Sequence, residues 1–381
     1  MDNNKLRIAI ITNIITTYRQ GFYDRLFARD DIFVKVYCQD SILGMNLTSI
    51  HERYPNNVSI VKSYSTKKEK IVWKFIPWNE IINNYDVVFV DGNPRDLSDV
   101  VFATYLRLAG RKVVLWTMAH SFRSNMLTEK IRLFWSKIFN RIFVYTDREV
   151  DFLRSIGFRN NFILGMNNGH DQKVIDHITL EWSDSRLQYW RRSHSFENKI
   201  LLLSCARLDN KNNFELVLSA LPLILKKVPN LIWCLIGEGE EKTKLKSIVK
   251  TSGLENNVYF VGSIYQENEL APWFLSSELL IHPSAIGLTL QHALGYGLPV
   301  VTHGEENFHG PDYASFTAEC TGRNFKKDDI NSLANTILDL LSNKSLLTKM
   351  KSYSLNVARE KYNVDVMVDR FMEITRKAYN D

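Results

Sequence analysis

The feature that most constrains this 381-residue chain is a rhythm of short apolar, β-rich runs separated by helical patterns, played through twice. In the first half the runs fall at 7–12, 33–38, 86–90, 112–116, 141–145 and 161–164. Such alternation predicts a parallel sheet with helices on both faces. A polar stretch at 171–197 breaks the rhythm and reads as a connection. A second series then begins, with runs at 199–204, 231–237, 258–261, 279–282 and 298–302. Helices are expected around 213–227, 240–251, 267–275, 288–295, 329–341 and 364–379. The length is too great for one typical core and suits two. The expected fold is α/β, two doubly wound parallel-sheet domains facing a cleft.

Composition narrows the function by exclusion. The four cysteines, Cys38, Cys205, Cys234 and Cys320, are scattered and show no metal-ligand spacing, so no metal site and a reducing compartment are expected. No run of about 18 apolar residues is present to span a bilayer, and the start does not read as a signal peptide, which points to the cytoplasm. A net charge of +6 permits an anionic partner. Cations concentrate between Arg107 and Arg141, interleaved with Phe134, Trp135 and Phe139. Two readings stay open there: an amphipathic helix with Leu133, Phe134 and Ile138 in the core, and cations available to an anionic membrane surface. No pattern of a nucleic-acid-binding module accompanies the charge, so nucleic acid is not an expected partner. P-loop, HExxH and GxSxG signatures are absent as well.

Three places carry chemistry. The stretch HPSAIGLTLQHALGYGLPVVTH reads as strand, tight loop, helix, glycine and strand. Unpaired amides at the start of such a helix, from Gly287 into Leu288 and Thr289, would suit a phosphate, with small Ser284 leaving room. The loop CARLDNKNN places Arg207 and Lys211 just past a strand, where a fork and a point charge suit a diphosphate. Gly237 opens a GxG turn, a weak signal by itself that lacks the third glycine of a dinucleotide fingerprint.

In this order and spacing, ARLDNKNN, LIGEGEE, VYFVGSIYQENELAPWFLSSELLIHPS and GLTLQHALGYGLPVVTH resemble the donor-binding domain of retaining family 4 glycosyltransferases of the GT-B fold. The first half resembles them more loosely, through NIITTYRQGFYDRL, LWTMAH and NNGHD. The resemblance implies an acceptor-binding Rossmann-like domain at 1–171, a connection at 172–198, and a donor-binding domain at 199–363. A last helix at 364–381 would return to the first domain. It implies metal-independent transfer of a hexose-type sugar from a nucleoside diphosphate, with no cofactor. The acceptor would be lipid-linked or a saccharide, in bacterial surface polysaccharide synthesis. Arg207 and Lys211 match the cations on the donor diphosphate, and His120 matches the histidine that contacts the transferred sugar. Gly237, Ser284, Gly287, Leu288, Thr289 and His292 fall in the donor-binding motifs.

Departures from the pattern accompany the match. Ser284 and His292 occupy the positions of two glutamates that usually meet the sugar and the ribose. A serine there suits a deoxysugar, and Glu305, Glu306 or Asp312 in the next loop could substitute. Tyr18 and Arg19 stand in a first loop where relatives carry paired glycines, so Arg19 could reach a phosphate or an anionic acceptor. The lost glutamates leave open a non-catalytic protein that binds a nucleotide sugar or a partner, and a GT-B epimerase is a further alternative.

Overall fold

The computed structural model describes residues 5–42, 49–66, 71–119 and 126–381, without the side chains of 126 and 127. The chain divides into two compact units, Met1–Asn168 with Val364–Asp381, and Gly169–Asn363.

Unit 1 contains β1 (Leu6–Ile11), α1 (Gln20–Phe27), β2 (Ile32–Cys38), β3 (Val58–Ile60), β4 (Ser63–Ser65), β5 (Val72–Lys74), α2 (Trp78–Asn84) and β6 (Val87–Asp91). It continues with α3 (Leu97–Leu108), β7 (Val113–Trp116), α4 (Met126–Ser136), β8 (Arg141–Val144), α5 (Asp147–Ser155) and β9 (Phe162–Gly165). Seven strands form one sheet in the order β3-β2-β1-β6-β7-β8-β9, parallel at every pairing, and β4 and β5 make a small antiparallel hairpin. Strands such as β6 run apolar, here from Val87 to Val90 before Asp91 at the carboxyl end, because helices cover both faces.

Unit 2 opens with α6 (Gln172–Glu181) and α7 (Asp184–Ser193), then β10 (Ile200–Cys205), α8 (Phe214–Leu225), β11 (Leu231–Ile236), α9 (Lys242–Thr251), β12 (Val258–Gly262) and α10 (Glu267–Ser276). Next come β13 (Ser277–His282), α11 (Leu288–Gly295), β14 (Val300–His303), β15 (Gly322–Phe325), α12 (Ile330–Ser342) and α13 (Lys344–Glu360). Its six strands are ordered β12-β11-β10-β13-β14-β15, again all parallel. Helix starts are set by side chains that take up otherwise unpaired amides. Asp329 accepts from the Ser332 amide at 2.9 Å, and Asn343 from the Leu346 amide at 3.0 Å.

Two expectations are corrected here. The polar stretch at 172–198 is no bare connection: it folds as α6 and α7, which belong to unit 2, and Arg191 donates to the Ser276 carbonyl at 2.8 Å. Phe134 on α4 and Ile138 just after it are exposed instead of lying in the core, while Arg132 is buried and donates to the Ala119 carbonyl at 3.1 Å. The reason lies in the neighbouring helix: Trp135 donates to Thr104 of α3 at 2.9 Å, which turns that face inward and leaves Phe134 outward.

The last helix, α14 (Val364–Asn380), packs within unit 1. Phe371 is fully buried and stacks on Phe89 of β6 with centroids 4.4 Å apart. Arg370 forms a fork with Asp147 and donates to the Gly165 carbonyl at 2.7 Å.

Candidate active site

An open parallel sheet offers its ligand crevice beyond the carboxyl ends of the two strands where the strand order reverses. In unit 2 those strands are β10 and β13. The loops that leave them are ARLDNKNN and PSAIG, so topology alone brings together two of the chemistry-bearing stretches. Thr289, in the first turn of α11, donates to the Cys205 carbonyl at the end of β10, 2.9 Å away. That bond fixes the helix start against the strand from which Arg207 follows two residues on.

The arginine loop is held on its other side by the GxG turn. Leu208 donates its amide to the Glu238 carbonyl at 3.0 Å, and the Glu241 amide donates to the Leu208 carbonyl at 2.9 Å. Both glycines are needed for this approach. A Cβ at Gly237, whose φ is +145°, would lie 2.0 Å from the Ala206 carbonyl oxygen, and one at Gly239 would lie 2.1 Å from that of Leu208. Asn213, at φ +49°, ends the loop, and Asp209 accepts from the Asn212 amide at 3.2 Å. Arg207 and Lys211 project from this scaffold exposed, and among the described residues neither has an ion-pair partner.

The start of α11 is equally open. Among the described residues the amides of Gly287, Leu288 and Thr289 make no backbone hydrogen bond, and the helix dipole adds positive potential there. The preceding loop is shaped by two buried histidines. His282 donates from Nδ1 to the Ser284 carbonyl at 3.1 Å. His309 accepts from the Ile286 amide at Nδ1, 3.1 Å, so its Nε2 carries the proton and donates to the His303 carbonyl at 3.0 Å. Burial pushes both imidazoles down to about 4, which keeps them neutral. His309 also stacks on Tyr313 with centroids 4.0 Å apart.

The loop expected to supply substitute acids is thus clamped. Asp312 comes nearest the helix start, its Oδ2 3.7 Å from where a Gly287 Cβ would sit. Glu305 points elsewhere and pairs with Lys327 at 3.6 Å, and Glu306 begins a short turn of helix beside it. Ser284 lies half-buried in the loop before Gly287.

His292 is engaged inside unit 2. Its Nε2 lies 2.7 Å from Glu267 Oε1, and the Tyr296 hydroxyl donates to the same oxygen at 2.5 Å. Burial raises the Glu267 carboxyl, but these two hydrogen bonds outweigh it and hold it below the usual carboxylate range. His170 stacks on His292 at 4.6 Å and donates to the Leu288 carbonyl at 3.2 Å. With Nε2 turned to Glu267, only Nδ1 of a neutral His292 remains to accept a hydrogen bond. Sequence reasoning missed Glu267: it sits on α10, 25 residues from its partner, and only the fold joins them.

In unit 1, Arg19 is buried instead of paired on the following helix, with its guanidinium over the rings of Tyr18, Trp116 and Tyr145. Tyr18 is half exposed. His120 lies outside the described residues.

Residues 188–357 match the family model of glycosyl transferases group 1. The chain is 22% identical, over 375 residues, to the GtfA subunit of a UDP-N-acetylglucosamine–peptide N-acetylglucosaminyltransferase of Streptococcus agalactiae, covering 94% of this chain and 70% of that protein. It is 28% identical over 164 residues to the poly(glycerol-phosphate) alpha-glucosyltransferase of Bacillus subtilis, covering 42% of this chain but only 23% of that one. Among solved structures it superposes on Anabaena Alr3699/HepE in complex with UDP with a TM-score of 0.72 at 16% identity, covering 98% of this chain and all of the other. By its two parallel-sheet units the chain has the GT-B fold, and its matched domain is that of the glycosyl transferases group 1. Its unit 2 carries the group 1 domain.

Proposed function

We propose that this chain is a retaining glycosyltransferase that moves a hexose-type sugar from a uridine diphosphate donor to a saccharide or lipid-linked acceptor in surface polysaccharide synthesis, without a metal ion. The observation that carries the reading is the pairing, at the reversal point of the second sheet, of two unpaired cations with the open amides of α11. As the anomeric bond breaks, negative charge grows on the leaving diphosphate. Arg207, Lys211 and the helix start are fixed donors to that charge, and such electrostatic stabilisation is worth about 3–4 kcal/mol per donor. The acceptor oxygen then bonds to the anomeric carbon on the face that the diphosphate leaves, and its proton passes to the departing phosphate oxygen. Positioning supplies much of the remainder. The UDP held by the Anabaena structure and the UDP-sugar in the streptococcal relative's name support a uridine donor.

His292 is assigned to the nucleotide ribose through Nδ1, with Glu267 fixing its orientation, and Ser284 to the sugar. Unit 1 takes the acceptor, with His120 contacting the transferred sugar. The test is release of UDP from UDP-glucose and UDP-N-acetylglucosamine, with the new anomeric proton read by NMR. An α-linked or α-configured product that disappears in Arg207→Ala supports the reading. A β-configured first product contradicts retention, and no turnover of any nucleotide sugar contradicts the enzyme.

Peripheral membrane association is part of the proposal. Val101, Tyr105 and Leu108 of α3 and Ile131 and Phe134 of α4 are exposed apolar residues on helices bonded to each other, and Leu108 is 80% exposed and Phe134 77%. Arg107, Arg111, Lys130 and Lys137 lie among them in sequence. An apolar face with cations suits an anionic bilayer surface. The chain should co-sediment with phosphatidylglycerol vesicles but not with phosphatidylcholine ones, and Phe134→Asp should abolish it; sedimentation with neither vesicle would remove this part of the account.

A further inference from the structure

A buried guanidinium ordinarily finds a carboxylate, because an unpaired buried charge is costly. Arg19 does not. It is 8% exposed, and among the described residues no carboxylate lies within ion-pair distance. Its acceptors are weak ones, the Met166 sulfur, 3.4 Å from Nη1, and the neutral Tyr18 hydroxyl. Its charge rests on rings: the guanidinium carbon lies 5.4 Å from the centroids of Trp116 and Tyr145 and 5.8 Å from that of Tyr18. Such contacts stabilise a cation through the ring faces, and they do not satisfy its in-plane N–H donors.

The surroundings repeat the pattern. Thr16 Oγ and Trp116 Nε1 are buried without hydrogen-bond partners, and both can donate. The Thr16 carbonyl is spent on the Arg19 amide at 3.0 Å. Arg19 follows β1, while Trp116 ends β7, Tyr145 follows β8 and Met166 follows β9. All of these positions lie at the carboxyl ends of the parallel strands, the edge at which such sheets bind ligands. Donors and a charge gather at this edge with only weak acceptors among them, a set that an oxyanion would complete.

We propose that Arg19, framed by Tyr18, Trp116 and Tyr145, is a binding site in unit 1 for a phosphate-class oxyanion carried by a substrate. The planar fork addresses two oxygens at once, while the rings hold it rigid and exclude water. The inference rests on the glycosyltransferase reading for what the substrate is: the anion belongs to a phosphate-bearing acceptor. Arg19 is retained at the expense of stability, as ligand-binding residues often are.

The experiment uses the full chain, inorganic pyrophosphate as the probe, and calorimetry with and without saturating UDP. With UDP saturating the Arg207 site, wild type should bind pyrophosphate, and Arg19→Met should bind it at least tenfold more weakly. Without ligand, Arg19→Met should melt at or above the wild-type temperature, because methionine fits among the rings and carries no charge. Arg19→Lys, which keeps the charge but loses the fork, should fall between the two. Pyrophosphate binding that persists under saturating UDP supports the proposal, and binding that UDP abolishes belongs to the Arg207 site and overturns it. Equal pyrophosphate binding by wild type and Arg19→Met overturns the proposal, as does an absence of binding in wild type. An Arg19→Met chain several degrees less stable than wild type also overturns it, since Arg19 would then be a structural cation. Loss of UDP binding in Arg207→Ala with the Arg19 response intact keeps the two sites, and the two readings, separate.

Discussion

Glu267 shows how a single carboxylate can organise a site it does not face. One oxygen accepts both from His292 and from Tyr296, so the imidazole is held with Nδ1 as its remaining acceptor. Glu267→Ala leaves a hydroxyl and a ring N–H without partners in a largely buried setting, and should lower stability by about 2 kcal/mol in chemical denaturation. Glu267→Gln, which keeps an acceptor oxygen, should cost less. An alanine variant as stable as wild type would show that the pair does not position His292. At this scale sequence was informative where local rules apply. Arg207, Lys211 and Gly287 stand out because strand ends and helix starts have fixed chemistry. Glu267 did not stand out, because its meaning comes from partners 25 or more residues away, and Arg19 stood out by its loop but not by its burial among rings from distant strands.

The loop between β10 and α8 and the turn after β11 form one device. Backbone bonds tie them together, and the approach is so close that no side chain fits at Gly237 or Gly239. Gly237→Ala should destabilise the chain by about 2–3 kcal/mol and weaken nucleotide binding, because strain there displaces the loop that carries Arg207. Gly310→Ala, with open space around the added carbon, should stay within about 0.5 kcal/mol of wild type. Equal melting temperatures for the two variants would contradict this assignment. The GxG pattern read alone was weak; it gains meaning only once the arginine loop lies against it. Helix α11 was legible to the residue because a glycine precedes it and a turn glycine follows soon after it. The three-residue strands β3, β4 and β5 were not, since so few residues carry no periodicity. The exposed face of α4 was misread because apolar spacing does not say whether a partner covers it.

At the scale of the whole molecule, the buried histidines of unit 2 and the buried carboxyls of unit 1 should respond to acid with opposite sign. In unit 2, burial lowers His170, His282, His303 and His309 to about 4, against 6.5 unfolded. Between pH 6.5 and 4 the unfolded segment therefore binds more protons, and stability is lost as pH falls. The lowered Glu267 adds a loss in the same direction at the acid end of that range. In unit 1, burial and the neighbouring Asp96 raise Asp91 to about 7, and burial raises Asp99 to about 6 against the pull of Lys74, which lies 2.5 Å away. These carboxyls hold protons that the unfolded chain releases above 3.8, so their contribution to stability grows as pH falls through 7. Hydrogen exchange at pH 7.5 and 5.0, corrected for intrinsic rates, should show protection falling more in the strands of unit 2 than in those of unit 1. The reverse order would contradict these environments. At this scale the double βα rhythm was enough to expect two doubly wound sheets, since strand alternation is a property of the whole chain. The structured character of 172–198 was hidden by its polarity, because α7 buries little of its surface.

The central claim is that the reversal point of the second sheet binds the diphosphate of a nucleotide, and calorimetric titration of UDP into the full chain tests it most directly. The account predicts one UDP per chain for wild type, at least tenfold weaker binding for Arg207→Ala, and unchanged binding for Glu305→Ala. UDP binding that is absent, or indifferent to Arg207→Ala, would contradict it.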